Sequence, residues 1–232
     1  DINRVTQNLQ SLNLNNNNRA DDESSFGTAN LSSSSSSSQL VHGRSMPLYT
    51  SVSYRGAKVY TVSAVLGSGT WGSVFLVEKR PFIDLPWHVE RCALKLIKIN
   101  DPKQLESIAG EIAALNRVRE CENCCSLLDF GMIGSSVYLY MPFYSMDLFK
   151  MVEDYDMPFE ARLTVLKHVA QGLAHCHQNN VIHRDLKPEN ILLDGVTGQW
   201  VICDYGLAHV GRRREEPTSK QLLGSLPYMA PA

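Results

Sequence analysis

Apolar residues are scarce and follow no period up to about residue 45, where Asn15 to Asn18 and Ser32 to Ser38 form polar runs. A segment of that kind cannot bury enough surface to offset the entropy of ordering it, so residues 1–47 are expected to be a disordered tail. From Leu48 the pattern changes. Tyr49, Val52, Tyr54, Val59, Tyr60, Val62, Val65 and Leu66 favour strands, with Arg55-Gly56 as a turn between two of them. Phe75-Leu76-Val77 reads as a further strand after a glycine-rich turn, and Cys92 to Ile97 alternates as the next. Ser126 to Gly131 and Ser136 to Met141 make two more, joined around Gly134, and complete a five-stranded antiparallel sheet.

The helical period appears twice. Over Gln104 to Val118, Ile108, Ile112 and Leu115 share one face at about 100° per residue; Glu111 flanks that face and Glu106 points nearly opposite. Phe159, Leu163, Leu166, Ala170 and Leu173 then recur at three- and four-residue steps, which predicts an amphipathic helix from about Pro158 to His177. His168, His175 and His177 fall mostly on its polar side and offer no metal site. A short apolar strand, Trp200 to Cys203, comes later, so the class is α+β.

Composition narrows the setting. With 232 residues, 44% of them hydrophobic and 20% charged, the chain can bury one sizeable core in two lobes. A formal net charge of -2 gives no electrostatic reason to expect nucleic acid or an anionic membrane as partner. No apolar run approaches a bilayer span, and the opening Asp1-Ile2-Asn3-Arg4 is not a signal peptide; a first residue other than Met points to a fragment. Cys92, Cys121, Cys124, Cys125, Cys176 and Cys203 sit largely in apolar segments, as free thiols do in a reducing, intracellular compartment, cytoplasmic or nuclear. Cys121 to Cys125 lacks a second Cys or His pair at zinc-finger spacing, so structural thiols are expected there.

Three stretches carry chemistry. Leu66-Gly67-Ser68-Gly69-Thr70-Trp71-Gly72-Ser73-Val74 lies between two strands, whereas the dinucleotide fingerprint needs a helix after its glycines. Such a hairpin either is merely flexible or lets backbone N–H groups approach phosphates. Lys95 lies inside an apolar strand and needs an anionic partner. His183-Arg184-Asp185-Leu186-Lys187-Pro188-Glu189-Asn190 places a carboxylate, an ammonium and a carboxamide within six positions: a proton acceptor, a cation for phosphate and an oxygen for a hard metal ion.

That loop resembles the catalytic loop of eukaryotic protein kinases, with Lys187 in the manner of the serine/threonine-specific branch. The glycine hairpin, the Lys95 strand with a following helix glutamate, Asp204-Tyr205-Gly206 and Gly224 to Pro231 are similar to the family's other elements, in the family's order. The resemblance implies a two-lobed fold: a small ATP-binding lobe over 48–142 and a partial, mainly helical large lobe over 143–232. It implies protein serine/threonine kinase activity with ATP and Mg²⁺ and a protein substrate. Asp185 would orient the substrate hydroxyl and accept its proton, Lys187 and Lys95 would stabilise phosphate charge, Glu111 would pair with Lys95, and Asn190 and Asp204 would hold Mg²⁺. Leu66 to Val74, Ala93, Lys95, Met141, Phe143, Asp147 and Leu192 would line the nucleotide site, Phe143 through its N–H because Pro142 has none.

Two features depart from the family. Tyr205 replaces its phenylalanine, and a buried tyrosine hydroxyl needs a partner. The sequence given ends at Ala232, soon after the activation segment, so its own turnover is expected to be weak, with Leu163, Leu166, Ala170 and Leu173 left in water. The alternative function is an ATP-binding scaffold without turnover. Thr218 and Ser219, after the basic run Arg212-Arg213-Arg214, are candidate phosphorylation sites with Arg184 as cationic partner. Subfamily and oligomeric state are left open.

Overall fold

The computed structural model describes residues 52–54, 58–69, 72–79, 90–133, 135–211 and 223–229. The expected tail, the Arg55-Gly56 turn, Thr70 and Trp71, Gly134, and the stretch with Arg212 to Arg214, Thr218 and Ser219 lie outside the described residues. The chain forms two compact units: one comprises the strands up to Lys98 together with Asp129–Met141, the other Ile99–Leu128 and the chain from Pro142 onward.

The first unit is a sheet ordered β1-β2-β3-β4-β6-β5. Its strands are β1 (Val52–Tyr54), β2 (Lys58–Gly69), β3 (Gly72–Lys79), β4 (Glu90–Lys98), β5 (Asp129–Ile133) and β6 (Ser136–Pro142). The expected strands are present, and the strand read ahead of Arg55-Gly56, β1, lies at the edge and pairs antiparallel with β2, so the sheet has six strands rather than five. Antiparallel pairing sets Val77 opposite Cys92 and Phe75 opposite Leu94 on one face, with Val74 opposite Lys95 and Leu76 opposite Ala93 on the other. The first face closes a core of Val77, Cys92, Leu94, Tyr138 and Tyr140. One residue of slip would exchange the faces, so the pairing of Val74 with Lys95 is what sets the face Lys95 takes.

The β2–β3 hairpin ends at Gly69 opposite Gly72, with register shifts between Val62 and Ala64 and between Val65 and Gly67. Gly72 has φ +132°, and a Cβ there would lie 2.4 Å from the Leu96 carbonyl oxygen. Only glycine fits. At Gly67, by contrast, a Cβ meets nothing within 4 Å, so its own backbone does not demand glycine.

In the second unit, α1 (Pro102–Val118) starts at a capping box: the Asp101 carboxylate accepts from Lys103 N at 2.9 Å and Gln104 Oε1 accepts from Asp101 N at 3.2 Å. Leu105, Ile108, Ile112, Leu115 and Val118 are buried, each contributing roughly 1.5–3 kcal/mol relative to exposure. Helix α2 (Leu148–Asp154) is capped by Asp147, and α3 spans Phe159–Gln178. β7 (Met146–Asp147), β9 (Ile191–Leu193) and β10 (Trp200–Ile202) form a sheet ordered β10-β9-β7, while β8 (Val181–Ile182) pairs with β11 (His209–Val210). Packing sets α1 against α3, β8 and β11, which groups this helix with the later chain and not with the strands that precede it.

One boundary differs from expectation for a tertiary reason. β5 starts at Asp129, not Ser126, because the preceding residues are drawn onto β10: Ile202 N donates to Asn123 O at 2.9 Å and Cys125 N to Ile202 O at 2.8 Å. On α3 the stripe read from the sequence lies in water at Phe159, Leu163, Leu166 and Ala170, as expected for this chain, Leu166 being 64% exposed, while Leu173 is half-buried. The buried positions are Val165, Gly172 and Cys176, about 120° around the helix from that stripe, with Val165 in one apolar cluster with Met157, Ile191 and Trp200. His168, on this helix, accepts from Trp200 N at 3.2 Å and so ties α3 to β10.

Candidate active site

The loop from His183 to Asn190 follows β8, and its backbone is pinned at both ends. Arg184 adopts φ +64°, and its Nε donates to Leu207 O at 2.7 Å. Gly224, at φ +109°, comes so near that a Cβ would stand 2.4 Å from Arg184 O. His183 is buried; its Nδ1 accepts from Asp185 N at 3.3 Å, which leaves Nε2 to donate to Cys203 O at 2.8 Å. That tautomer is neutral, in keeping with burial pushing the imidazole below its usual range. The loop closes in a 3-10 turn, Pro188–Asn190, whose last residue accepts from Cys203 N through its carbonyl at 2.9 Å.

Asp185, 9% exposed, is the hub. Its Oδ1 accepts from Ser225 N at 2.9 Å and Ser225 Oγ at 2.8 Å; its Oδ2 accepts from Lys187 Nζ at 2.9 Å and Asn190 Nδ2 at 3.2 Å. Lys187 also donates to Ser225 Oγ at 3.0 Å, and Asn190 Nδ2 to Asp185 O at 2.9 Å. Burial alone would raise the Asp185 carboxyl, but the hydrogen bonds from Lys187 and Ser225 outweigh it and hold the group below its ordinary range. Lys187 shifts upward in turn, chiefly through its bond to Asp185. Ser225 was legible only as part of a terminal motif; its place on the carboxylate depends on a fold that brings it back across the loop.

Asp204 follows β10 with φ +58°. The Cys203–Asn190 backbone bond ties the residue before Asp204 to the end of the His183 to Asn190 loop. Tyr205 is fully buried, its ring edge-on to His183 at 5.0 Å between centroids, and its hydroxyl lies 3.7 Å from Cys176 Sγ. The departure from phenylalanine is thus met by a thiol from α3. Gly206 O accepts from Ser107 Oγ of α1 at 3.4 Å. Neither Cys176 nor Ser107 carries a local sequence signal for these roles.

Of the remaining candidates on this unit, Glu111 is 5% exposed while Glu106 is exposed, as the helical period predicts. Phe143 and Leu192 are half-buried. Asp147 pairs with Leu192 across β7 and β9, and its carboxylate caps α2 through Lys150 N at 2.8 Å and meets Lys150 Nζ at 3.2 Å. On the strand unit, Val74, Ala93 and Lys95 share one face, with Lys95 9% exposed. Leu66, Gly67 and Ser68 are exposed, Gly69 faces Gly72 in register, and Ser73 Oγ lies 3.4 Å from Ser68 Oγ. Met141 is half-buried near the end of β6. Among the described residues, no group of three or more His, Cys, Asp or Glu could hold a metal ion by itself.

Comparison with known proteins agrees with this geometry. The protein kinase domain family matches residues 60–232. Similar proteins include a putative L-type lectin-domain containing receptor kinase II.2 of Arabidopsis thaliana, 32% identical over 77% of this chain and 26% of its own length. Serine/threonine-protein kinase H2 of Homo sapiens is 28% identical over 74% of this chain and 44% of its own. The RAF proto-oncogene serine/threonine-protein kinase of Xenopus laevis is 31% identical over 73% of this chain and 26% of its own. The chain therefore spans less than half the length of these relatives. With a family match over most of its length, the chain belongs to the protein kinase family.

Proposed function

We propose that the chain transfers the γ-phosphate of ATP to serine or threonine hydroxyls of protein substrates. The observation that carries this is the Asp185 carboxylate, buried, kept ionised by Lys187 and Ser225 and steadied by Asn190. A carboxylate so held can orient a substrate hydroxyl and take its proton, while the Lys187 ammonium offsets charge on the group in transit. Phosphoryl transfer asks for positioning and charge neutralisation more than for covalent chemistry, which suits a site of fixed polar groups.

Lys95, with Glu111 as its ionic partner, is assigned to the phosphates of ATP, and Val74 and Ala93, on the same sheet face as Lys95, to its base. Leu66 to Ser73, Met141, the N–H of Phe143, Asp147 and Leu192 are assigned to the remainder of the nucleotide. Asn190 commits its Nδ2 to Asp185, which leaves its amide oxygen, with the Asp204 carboxylate, as two hard donors that suit Mg²⁺. The bound ion would neutralise phosphate oxygens. We assign the ATP-binding part to 48–142 and the catalytic part to residues from 143 onward. Six free thiols support an intracellular setting.

Incorporation of radiolabelled phosphate into a serine- or threonine-containing protein, compared among a full-length version of the protein and its Lys95→Met and Asp185→Asn variants, tests the activity. Both substitutions should abolish transfer while circular dichroism stays unchanged. Transfer that survives Asp185→Asn would remove the carboxylate from the mechanism.

A further inference from the structure

Tyr205 sets a problem that phenylalanine would not: a hydroxyl on a fully buried ring, whose desolvation must be repaid by a hydrogen bond. The group at hand is Cys176 Sγ, 3.7 Å away and itself fully buried. Cys176 does not stand alone. Cys124 Sγ lies 3.8 Å from it and 3.6 Å from the carbonyl oxygen of Gly172, one helical turn earlier on α3. Cys124 directs its S–H to that carbonyl, and a phenol O–H is a better donor than a thiol S–H, so Tyr205 donates and Cys176 Sγ accepts. Each sulfur is anchored to a different part of the catalytic unit. Cys124 bridges Ile202, two residues before Asp204, and Cys176 rides on the helix that leads to His183. His183 in turn meets Tyr205 edge-on and accepts from Asp185 N.

We propose that Cys176, steadied by Cys124, is a positioning residue: it accepts the Tyr205 hydroxyl and thereby seats Asp204-Tyr205-Gly206 for the metal-dependent step. The role rests on the kinase activity proposed above. It is particular to a chain with tyrosine at this position, since a phenylalanine would have nothing to offer the sulfur.

Cys176→Ala and Cys176→Ser test it, each made with Tyr205 present and in the Tyr205→Phe background, because alanine and serine nearly match in volume and differ in one acceptor. With Tyr205 present, Cys176→Ala should lose about tenfold in kcat at little change in peptide KM, the scale of one buried hydrogen bond, and Cys176→Ser should retain most of the rate. In the Tyr205→Phe background the order should reverse, the serine now being the unsatisfied group. Urea midpoints of the same four variants read the bond without turnover. Equal effects of alanine and serine in both backgrounds would reduce Cys176 to filler and overturn the proposal. A crossing in the midpoints with no crossing in kcat would overturn the positioning role and leave a structural bond. An unsubstituted chain without phosphotransfer would bring down the kinase activity and the positioning role together, distinguishable because the midpoints would still cross.

Discussion

Ser225 follows Asp185 by 40 residues, yet its backbone N–H and its hydroxyl both donate to one oxygen of that carboxylate, at 2.9 and 2.8 Å. The hydroxyl also accepts from Lys187 at 3.0 Å, so three side chains form a closed ring of hydrogen bonds. The segment that starts at Gly224 is thereby a structural part of the catalytic loop.

A change at Ser225 should consequently be read in the pH profile. Its hydrogen bonds, after that of Lys187, depress the Asp185 carboxyl; a lowered value keeps the carboxylate ionised further into acid. Ser225→Ala removes the hydroxyl donor, so the acidic limb of kcat/KM should move to higher pH and the plateau should fall by about tenfold. Lys187→Met should move the limb in the same direction. An acidic limb left in place by both, in a profile taken down to about pH 3 because the limb lies below the ordinary carboxylate value, would mean that another group sets it.

The two glutamates of α1 provide an internal control. Glu111 is buried and Glu106 exposed on the same helix. A buried carboxylate is retained only with compensating partners, so Glu111→Gln should cost at least about tenfold in initial rate, whereas Glu106→Gln should leave it unchanged. Equal losses would place the functional carboxylate elsewhere.

Helix α3 offers a contrast in stability. Val165 packs on Met157, Ile191 and Trp200, so Val165→Ala should cost about 1–3 kcal/mol through lost burial and the void it leaves. Leu166, the next residue, is 64% exposed, and Leu166→Gln should stay within about 0.5 kcal/mol. Urea unfolding followed by circular dichroism separates them. The same Leu166 substitution, with Leu163→Gln, should reduce fluorescence of an apolar dye.

Whatever depends on neighbours in the chain could be read from the sequence. The period of two along β4 places Lys95 and Ala93 on one face, and the period of 3.6 separates Glu111 from Glu106, because backbone geometry alone dictates which side chains of one element share a side. The order of the glycine hairpin, the lysine strand, the catalytic loop and Asp204-Tyr205-Gly206 likewise survives without coordinates. Tertiary structure decided the rest. Two apolar stripes run along α3, and only the arrival of Met157, Ile191 and Trp200 determines that the Val165 stripe is the buried one. β5 begins late because Asn123 and Cys125 bond to Ile202, some 80 positions away, a competition no local propensity records. Ser225 on Asp185 and Cys176 beneath Tyr205 belong to the same class: hydrogen bonds between groups distant in sequence, whose energy exists only after the chain has folded back to bring donor and acceptor together.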